Sequence, residues 1–257
     1  MAKISIITIT YNAGKVLGKT MESILDQEDK NFEYILVDGA SGDDTLDIIT
    51  KYEAKIIRGD YPGFSPQNFR WVSEPDKGLY DAMNKGLQKA SGDFVWFMNA
   101  GDKIYSRHTL SKIQNAWEKN PDADVIYGQS LIIDENDQPL GERHKIAPKI
   151  LTGKSLLNGL VVCHQSILVR RTIASDYDLQ YKVSADYDWT NKVLAKSQKN
   201  IYIDNYLSKF MVSGLSAVQR KRSWKERYDI MKKHFGLPLT LWAHLKIVVK
   251  YPFTRKY

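Results

Sequence analysis

The stretch Ser73-Glu-Pro-Asp-Lys-Gly-Leu-Tyr-Asp-Ala-Met-Asn-Lys-Gly86, followed by Gly92-Asp-Phe-Val-Trp-Phe-Met-Asn-Ala-Gly-Asp102, decides the fold. Pro75 and Gly78 interrupt the backbone, Ala82 to Lys89 favours a helix, and Phe94 to Met98 is a short apolar strand that stops at Asn99, Gly101 and Asp102. A buried strand that delivers polar and acidic side chains at its carboxyl end is how open α/β sheets place ligand-binding groups. The segment therefore reads as one wall of a phosphate-handling cleft.

The same grammar occurs twice upstream. Ile4 to Thr10 is a β-rich run closed by Tyr11-Asn12-Ala13-Gly14, with a helix-compatible segment from Val16 to Leu25. Phe32 to Val37 is a second strand, closed by Asp38 to Asp44, and Thr45 to Tyr52 is again helix-compatible, with Asp43 or Asp44 as its N-cap. Strand, polar loop and helix alternating at this spacing predict right-handed βαβ units and a mostly parallel sheet with helices on both faces. All the strand ends then open on one edge, where Thr10, Tyr11, Asp38, Asp76, Asn84 and Asp102 converge.

These residues resemble a known family. Thr8-Ile-Thr-Tyr-Asn12, Ile35-Leu-Val-Asp-Gly-Ala-Ser41, the Asp76 to Gly86 segment, Gly92-Asp93 and Ser184-Ala-Asp-Tyr-Asp-Trp189 are similar, in order and spacing, to motifs of the family 2 glycosyltransferases with a GT-A fold. The resemblance covers about residues 1 to 215. It implies a nucleotide-sugar-binding half (1–105), an acceptor half (106–215), and inverting transfer of a sugar from a nucleoside-diphosphate donor to a glycan or lipid-linked hydroxyl, as in bacterial surface polysaccharide synthesis. By resemblance Thr10, Tyr11, Asp38, Asp76, Asn84, Asn99 and Asp102 contact the donor, Asp186 is the general base, and Asp102 holds a divalent cation, Mn²⁺ or Mg²⁺.

The chain departs from the family pattern at two places. Asn99-Ala-Gly-Asp102 stands where relatives carry Asp-x-Asp, so a single carboxylate is expected to carry the metal. One suffices in principle, because Mg²⁺ often takes only one or two carboxylates when substrate phosphates complete its shell. Gly39 stands where many relatives carry a further Asp, which leaves Asp38 as the expected nucleotide contact. In the second half, Asp124 to Tyr127 and Gln129 to Ile133 read as strands linked to a hairpin at Asp134 to Pro139. Leu160 to Val169 reads as an apolar strand carrying His164 and Gln165 toward donor or acceptor hydroxyls, with His164 in reach of the metal. A core role for His164 fits the residues equally well. Ser184 reads as the N-cap of a helix from Tyr187 to Ala195. Asp188 is the fallback base and a candidate acceptor contact, although a first-turn carboxylate on a helix dipole explains it better.

With 257 residues, 43% of them hydrophobic, the chain can bury a full core. No run of 18 apolar residues occurs, and the start lacks a signal-peptide pattern, so a cytoplasmic location is expected. A single cysteine, Cys163, excludes an intrachain disulfide, and no histidine pair has zinc-ligand spacing. Charge is uneven. Residues 220 to 257 hold eleven basic side chains against Glu226 and Asp229, or +9 of a total of +7, which leaves −2 for the rest. Residues 216–257 therefore read as a basic amphipathic helical tail that suits peripheral contact with an anionic membrane. Nucleic acid is not expected, since no binding fold accompanies the charge. Lys209 to Ser216, with Gly214 as hinge and Arg220 to Arg222 behind it, resembles a loop closing on the donor diphosphate. Two other functions stay open on the residues alone: a sugar-phosphate nucleotidyltransferase, although no Gly-rich basic loop follows the first strand, and a glycan-binding relative without catalysis.

Overall fold

The computed structural model describes residues 1–212 and 220–250. In chain order the elements are β1 (Ile4–Thr10), α1 (Gly14–Leu25), β2 (Phe32–Asp38), α2 (Thr45–Arg58), β3 (Phe69–Ser73), α3 (Leu79–Lys89), β4 (Phe94–Phe97), β5 (Lys103–Ile104) and α4 (Thr109–Glu118), followed by β6 (Val125–Ile133), β7 (Pro139–Glu142), β8 (Ile167–Arg170), α5 (Ala185–Lys196), β9 (Asn200–Met211) and α6 (Arg220–Lys250). One sheet runs β3-β2-β1-β4-β8-β6-β9-β5, with β7 paired on β6. Strands β1 to β4 are mutually parallel, β8 is antiparallel to both β4 and β6, and β9 runs parallel to β6. This is the mixed, mostly parallel sheet with helices on both faces that the resemblance predicts.

Both faces of the sheet are covered, and the period-2 alternation of the strands shows how. Ile4 and Ile6 of β1 and Tyr34 and Leu36 of β2 enter one core with Leu17, Met21 and Ile24 of α1 and Ile49 of α2. Ile7, Ile9, Ile35 and Val37 enter the other, with Met83 and Leu87 of α3 and Val193 of α5. That second core also contains Ile230, Met231 and Ala243 of α6. α6 thus supplies apolar side chains to the same layer as α3 and α5.

Three local expectations are corrected. The two short strands at 124–133 form one strand, β6, whose register against β9 shifts around Gly128. His164 and Gln165 lie on a 3₁₀ turn ahead of β8 and not within it, since Trp96 donates its indole N–H to the Gln165 carbonyl (2.9 Å) in place of a ladder bond. The Gly92-Asp93 motif serves the opposite end of the sheet from the cleft. Gly92 N–H bonds the buried Glu33 carboxylate, and Asp93 accepts from Lys3 N–H. The helix α6 is broken at Gly236, whose φ of 77° no L side chain adopts readily, with Pro238 just beyond it. The hinge expected at Gly214 lies outside the described residues.

Candidate active site

The donor side is built from three loops stitched together. Asn12 N–H donates to Ser41 Oγ (2.8 Å), Gly42 N–H to Asn12 Oδ1 (2.9 Å), and Gly14 N–H to Asp43 Oδ2 (3.1 Å). Asp43, not Asp44, also receives Thr45 N–H at the start of α2. Asp38 is fully buried beneath these loops and accepts from Ser41 N–H (3.0 Å), Ser41 Oγ (2.5 Å) and Ser73 Oγ (2.6 Å). Its carboxylate braces the loop after β2 against the end of β3. The open surface is left to Tyr11, 65% exposed, and Asp76. Gly39 separates them. A Cβ there would lie 2.4 Å from Asp76 Oδ2 and 3.3 Å from Tyr11 Cδ2, so the space a larger residue would fill is occupied by the Asp76 carboxylate. Thr10 Oγ1 is buried with no partner among the described residues and faces the same end of β1.

Beyond β4 the chain turns sharply. Ala100 N–H bonds Ile9 carbonyl, Asp102 N–H bonds Asn99 carbonyl, and Gly101 takes a φ of 100° that favours glycine. The turn carries Asp102 inward, 5% exposed, where Oδ1 accepts from Met211 N–H (3.0 Å) and Oδ2 from Gln165 Nε2 (2.8 Å). Burial pushes the Asp102 carboxyl up to about 7, against the pull of those two donors. Asn99 Oδ1 is buried with no hydrogen-bond partner among the described residues. A buried carboxylate without a counter-charge beside an unsatisfied amide oxygen fits a hard divalent cation, whose oxygen ligands these are. Among the described residues no three His, Cys, Asp or Glu side chains gather as a metal cage, so most of the shell would come from phosphate oxygens and water.

The acceptor side faces this across the His164-Gln165 turn. Gln165 reaches Asp102, while His164 Nε2 pairs with the Tyr177 hydroxyl (2.6 Å) inside a cage of Phe97, Tyr177 and Trp189, the last two stacked at 5.2 Å. Burial pushes His164 down to about 4, with the nearby Asp186 charge opposing, so the imidazole is neutral near pH 7. Its Nε2 is held by the tyrosine hydroxyl. Asn84 is also reassigned. Its amide grips the Tyr177 backbone from both sides, donating to the carbonyl (3.0 Å) and accepting from the N–H (2.7 Å), so it braces that segment.

Asp186 and Asp188, two residues apart on the first turn of α5, go to opposite sides. Asp186 is half-buried near Tyr80, whose hydroxyl lies 3.4 Å from Oδ1, and accepts Tyr187 N–H (2.9 Å). Asp188 is fully buried against α6, bonded to Lys192 (2.7 Å), Lys233 (3.1 Å) and His234 (2.7 Å). Burial alone would raise its carboxyl, but these three donors outweigh it and hold it far below the usual range. Asp188 ties α5 to α6.

The cap of α5 also comes from α6. Ser184 makes no side-chain cap bond. Instead the Glu226 carboxylate accepts the N–H groups of Lys182, Val183 and Ser184, each at 2.9 Å, and pairs with Arg222. No local motif marks Glu226, forty residues away in sequence. Glu226→Ala strands three backbone donors and is expected to cost about 3 kcal/mol, read by denaturant unfolding. A loss under about 1 kcal/mol would mean that water replaces the carboxylate.

Comparison with known proteins gives the family and the fold. The sequence profile described as "Glycosyl transferase family 2" matches residues 5–178. A PGL/p-HBAD biosynthesis glycosyltransferase of Mycobacterium bovis is 30% identical over 215 residues, covering 79% of this chain and 75% of that protein. Among solved structures, the S. aureus TarS fragment 1–349 in complex with UDP superposes with a TM-score of 0.69 at 21% identity, covering 94% of this chain, which spans 65% of that fragment. A mannosyltransferase of Pyrobaculum calidifontis, solved with GDP-Man and Mn²⁺, superposes at 0.61 with 16% identity, covering 96% and 75%. The two structures share the fold.

Proposed function

This chain belongs to glycosyl transferase family 2, and from that premise we propose that it moves a sugar from a nucleoside-diphosphate donor to a hydroxyl of a cell-surface glycan or lipid-linked acceptor, with inversion, at the cleft between Tyr11, Asp76, Asp102 and Asp186. The observation that carries this is the His164-Gln165 turn, where Gln165 bonds Asp102 while His164 is joined to Asp186 through Tyr177 and Tyr80. This connection supports reading Asp102 and Asp186 as the donor carboxylate and the base of one site.

Thr10, Tyr11 and Asp76 receive the nucleoside, with Asp38 bracing the loop beneath. Asp102 and Asn99 would hold a divalent cation, such as the Mn²⁺ present in the Pyrobaculum calidifontis neighbour; bound there, it would supply positive charge to the leaving diphosphate. Asp186 takes the acceptor hydroxyl proton as the acceptor oxygen bonds the anomeric carbon. The bond from that carbon to the phosphate oxygen breaks in the same step, and the nucleoside diphosphate leaves with its electron pair. His164, neutral and fixed, keeps the cage between the two carboxylates free of a competing positive charge. The test is product identity without acceptor. Slow, Mn²⁺-dependent release of nucleoside diphosphate from a donor panel is expected; release of pyrophosphate, or of nothing from any donor, overturns the reading.

No described helix is long and apolar enough to cross a membrane. Beyond the Gly236 break, however, α6 exposes Leu237, Leu239, Leu241, Trp242 and Leu245, each 45% or more accessible, beside Lys246. Apolar side chains beside a lysine suit the headgroup layer of an anionic bilayer, where a lipid-linked acceptor would also sit. Co-sedimentation with phosphatidylglycerol vesicles is expected, weakened by salt and by Leu241→Asp with Leu245→Asp. Equal pelleting of variant and wild type would remove this face from the interaction.

A further inference from the structure

Tyr80 and Asn84 of α3 lie one turn apart, both buried, on the face the helix turns inward. The helix is pressed onto β1, since a Cβ at Gly86 would stand 2.5 Å from Ile7 Cγ2. Both residues hold the same partner. Asn84 grips the Tyr177 backbone, while the Tyr80 ring stacks on the Tyr177 ring, with 5.6 Å between centroids and 23° between planes. Tyr177 stacks in turn on Trp189 (5.2 Å, 11°), and its hydroxyl is tied to His164 Nε2. The Tyr80 side chain, 5% exposed, is therefore a fixed ring with one polar tip.

That tip reaches the base. The Tyr80 hydroxyl donates to Asp186 Oδ1 at 3.4 Å, which is long for an O–H···O bond, but catalytic hydrogen bonds are often long before substrate closes on them. Tyr187 N–H donates to the same oxygen at 2.9 Å. The two carboxylate oxygens are thus unequal. Oδ1 has both donors, whereas Oδ2 has no hydrogen-bond partner among the described residues and is not sealed from solvent. Burial first, then the Asp186 charge, pushes the Tyr80 hydroxyl well above its ordinary range, so it stays a donor while the carboxylate is ionised.

We propose that Tyr80 is a positioning residue for the base: with Tyr187 N–H it fixes Asp186 Oδ1, so that Oδ2 is the oxygen that takes the acceptor proton. A carboxylate free to rotate aims its lone pair along the productive direction only part of the time, and two donors on one oxygen remove that freedom. This rests on the reading of Asp186 as base given above and adds which of its oxygens reacts and what holds it.

The test is Tyr80→Phe in the full-length protein, with Mn²⁺, the UDP- and GDP-sugars of the donor panel, and water as acceptor. Release of nucleoside diphosphate is expected to fall about tenfold in kcat. Donor KM and melting temperature should stay close to wild type, since Phe keeps the ring stack. In an Asp186→Asn background Tyr80→Phe should cost nothing further, whereas damage to packing would add in full. A readout without turnover is carboxylate ¹³C NMR of the protein alone, with the Asp186 signal identified by its absence in Asp186→Asn. The hydroxyl favours the ionised form, so in Tyr80→Phe the signal should titrate about half a pH unit or more higher than in wild type. His164, pushed by burial down to about 4, and Tyr177, pushed up by burial, are both uncharged through the neutral range and leave this comparison undisturbed. Unchanged kcat, losses that add to those of Asp186→Asn, a raised donor KM alone, or identical NMR titrations overturn the proposal. Near wild-type release by Asp186→Asn would remove the base itself and this proposal with it, which separates that failure from one confined to Tyr80.

Discussion

Asp186→Asn lowers sugar transfer by roughly 10²-fold or more, with donor affinity and melting temperature close to wild type. The amide keeps the size of the side chain and its acceptor oxygen for Tyr187 N–H, so the first turn of α5 keeps its geometry, but it cannot take the acceptor proton. Asp188→Asn should do the reverse. It disturbs bonds to Lys192, Lys233 and His234 at a fully buried position, so stability falls and activity follows only as folded protein is lost. Transfer rate, donor dissociation constant and melting temperature measured on both variants check the pair. Near wild-type transfer by Asp186→Asn would sink its role as base.

Asp102→Asn is expected to abolish the tightening of nucleotide binding by Mn²⁺ while making the metal-free protein more stable at alkaline pH. The sign follows from burial. With the folded-state carboxyl raised to about 7 from an ordinary 3.8, the unfolded chain ionises first, so wild-type stability declines as pH rises from about 4 to 7 and stays reduced above that. An amide carries no such burden, and so the metal-free melting curves of variant and wild type should diverge as pH rises from about 4 to 7 and stay apart above it. Metal binding needs the ionised form, so in wild type the Mn²⁺-dependent gain in UDP or GDP affinity should fade as pH drops through about 7. Melting scans across pH and calorimetry with and without Mn²⁺ decide this; equal metal dependence in the two proteins would remove Asp102 from the site.

Much of this protein was legible from local pattern. The alternation of apolar strands, polar loops and helices set the parallel half-sheet, because period and loop chemistry act over a few residues. The turn at Asn99 to Asp102 announced itself by an abrupt change from buried apolar to polar side chains. Tyr11, Asp76, Asp102 and Asp186 stood out as polar groups at strand or helix ends. Only the tertiary structure decided which polar groups face the cleft and which hold the scaffold. Asp38, Asn84 and Asp188 have the same composition and spacing as ligand-contacting residues, yet neighbours distant in sequence, namely Ser73, Tyr177 and His234, engage their side chains. The C-terminal basic segment looked like a separate tail because its charge dominates its composition. Glu226 and Ile230 bring α6 into the core and cap α5. A long-range contact between one carboxylate and three backbone N–H groups leaves no periodic trace in the sequence; it exists only once the chain has folded back on itself.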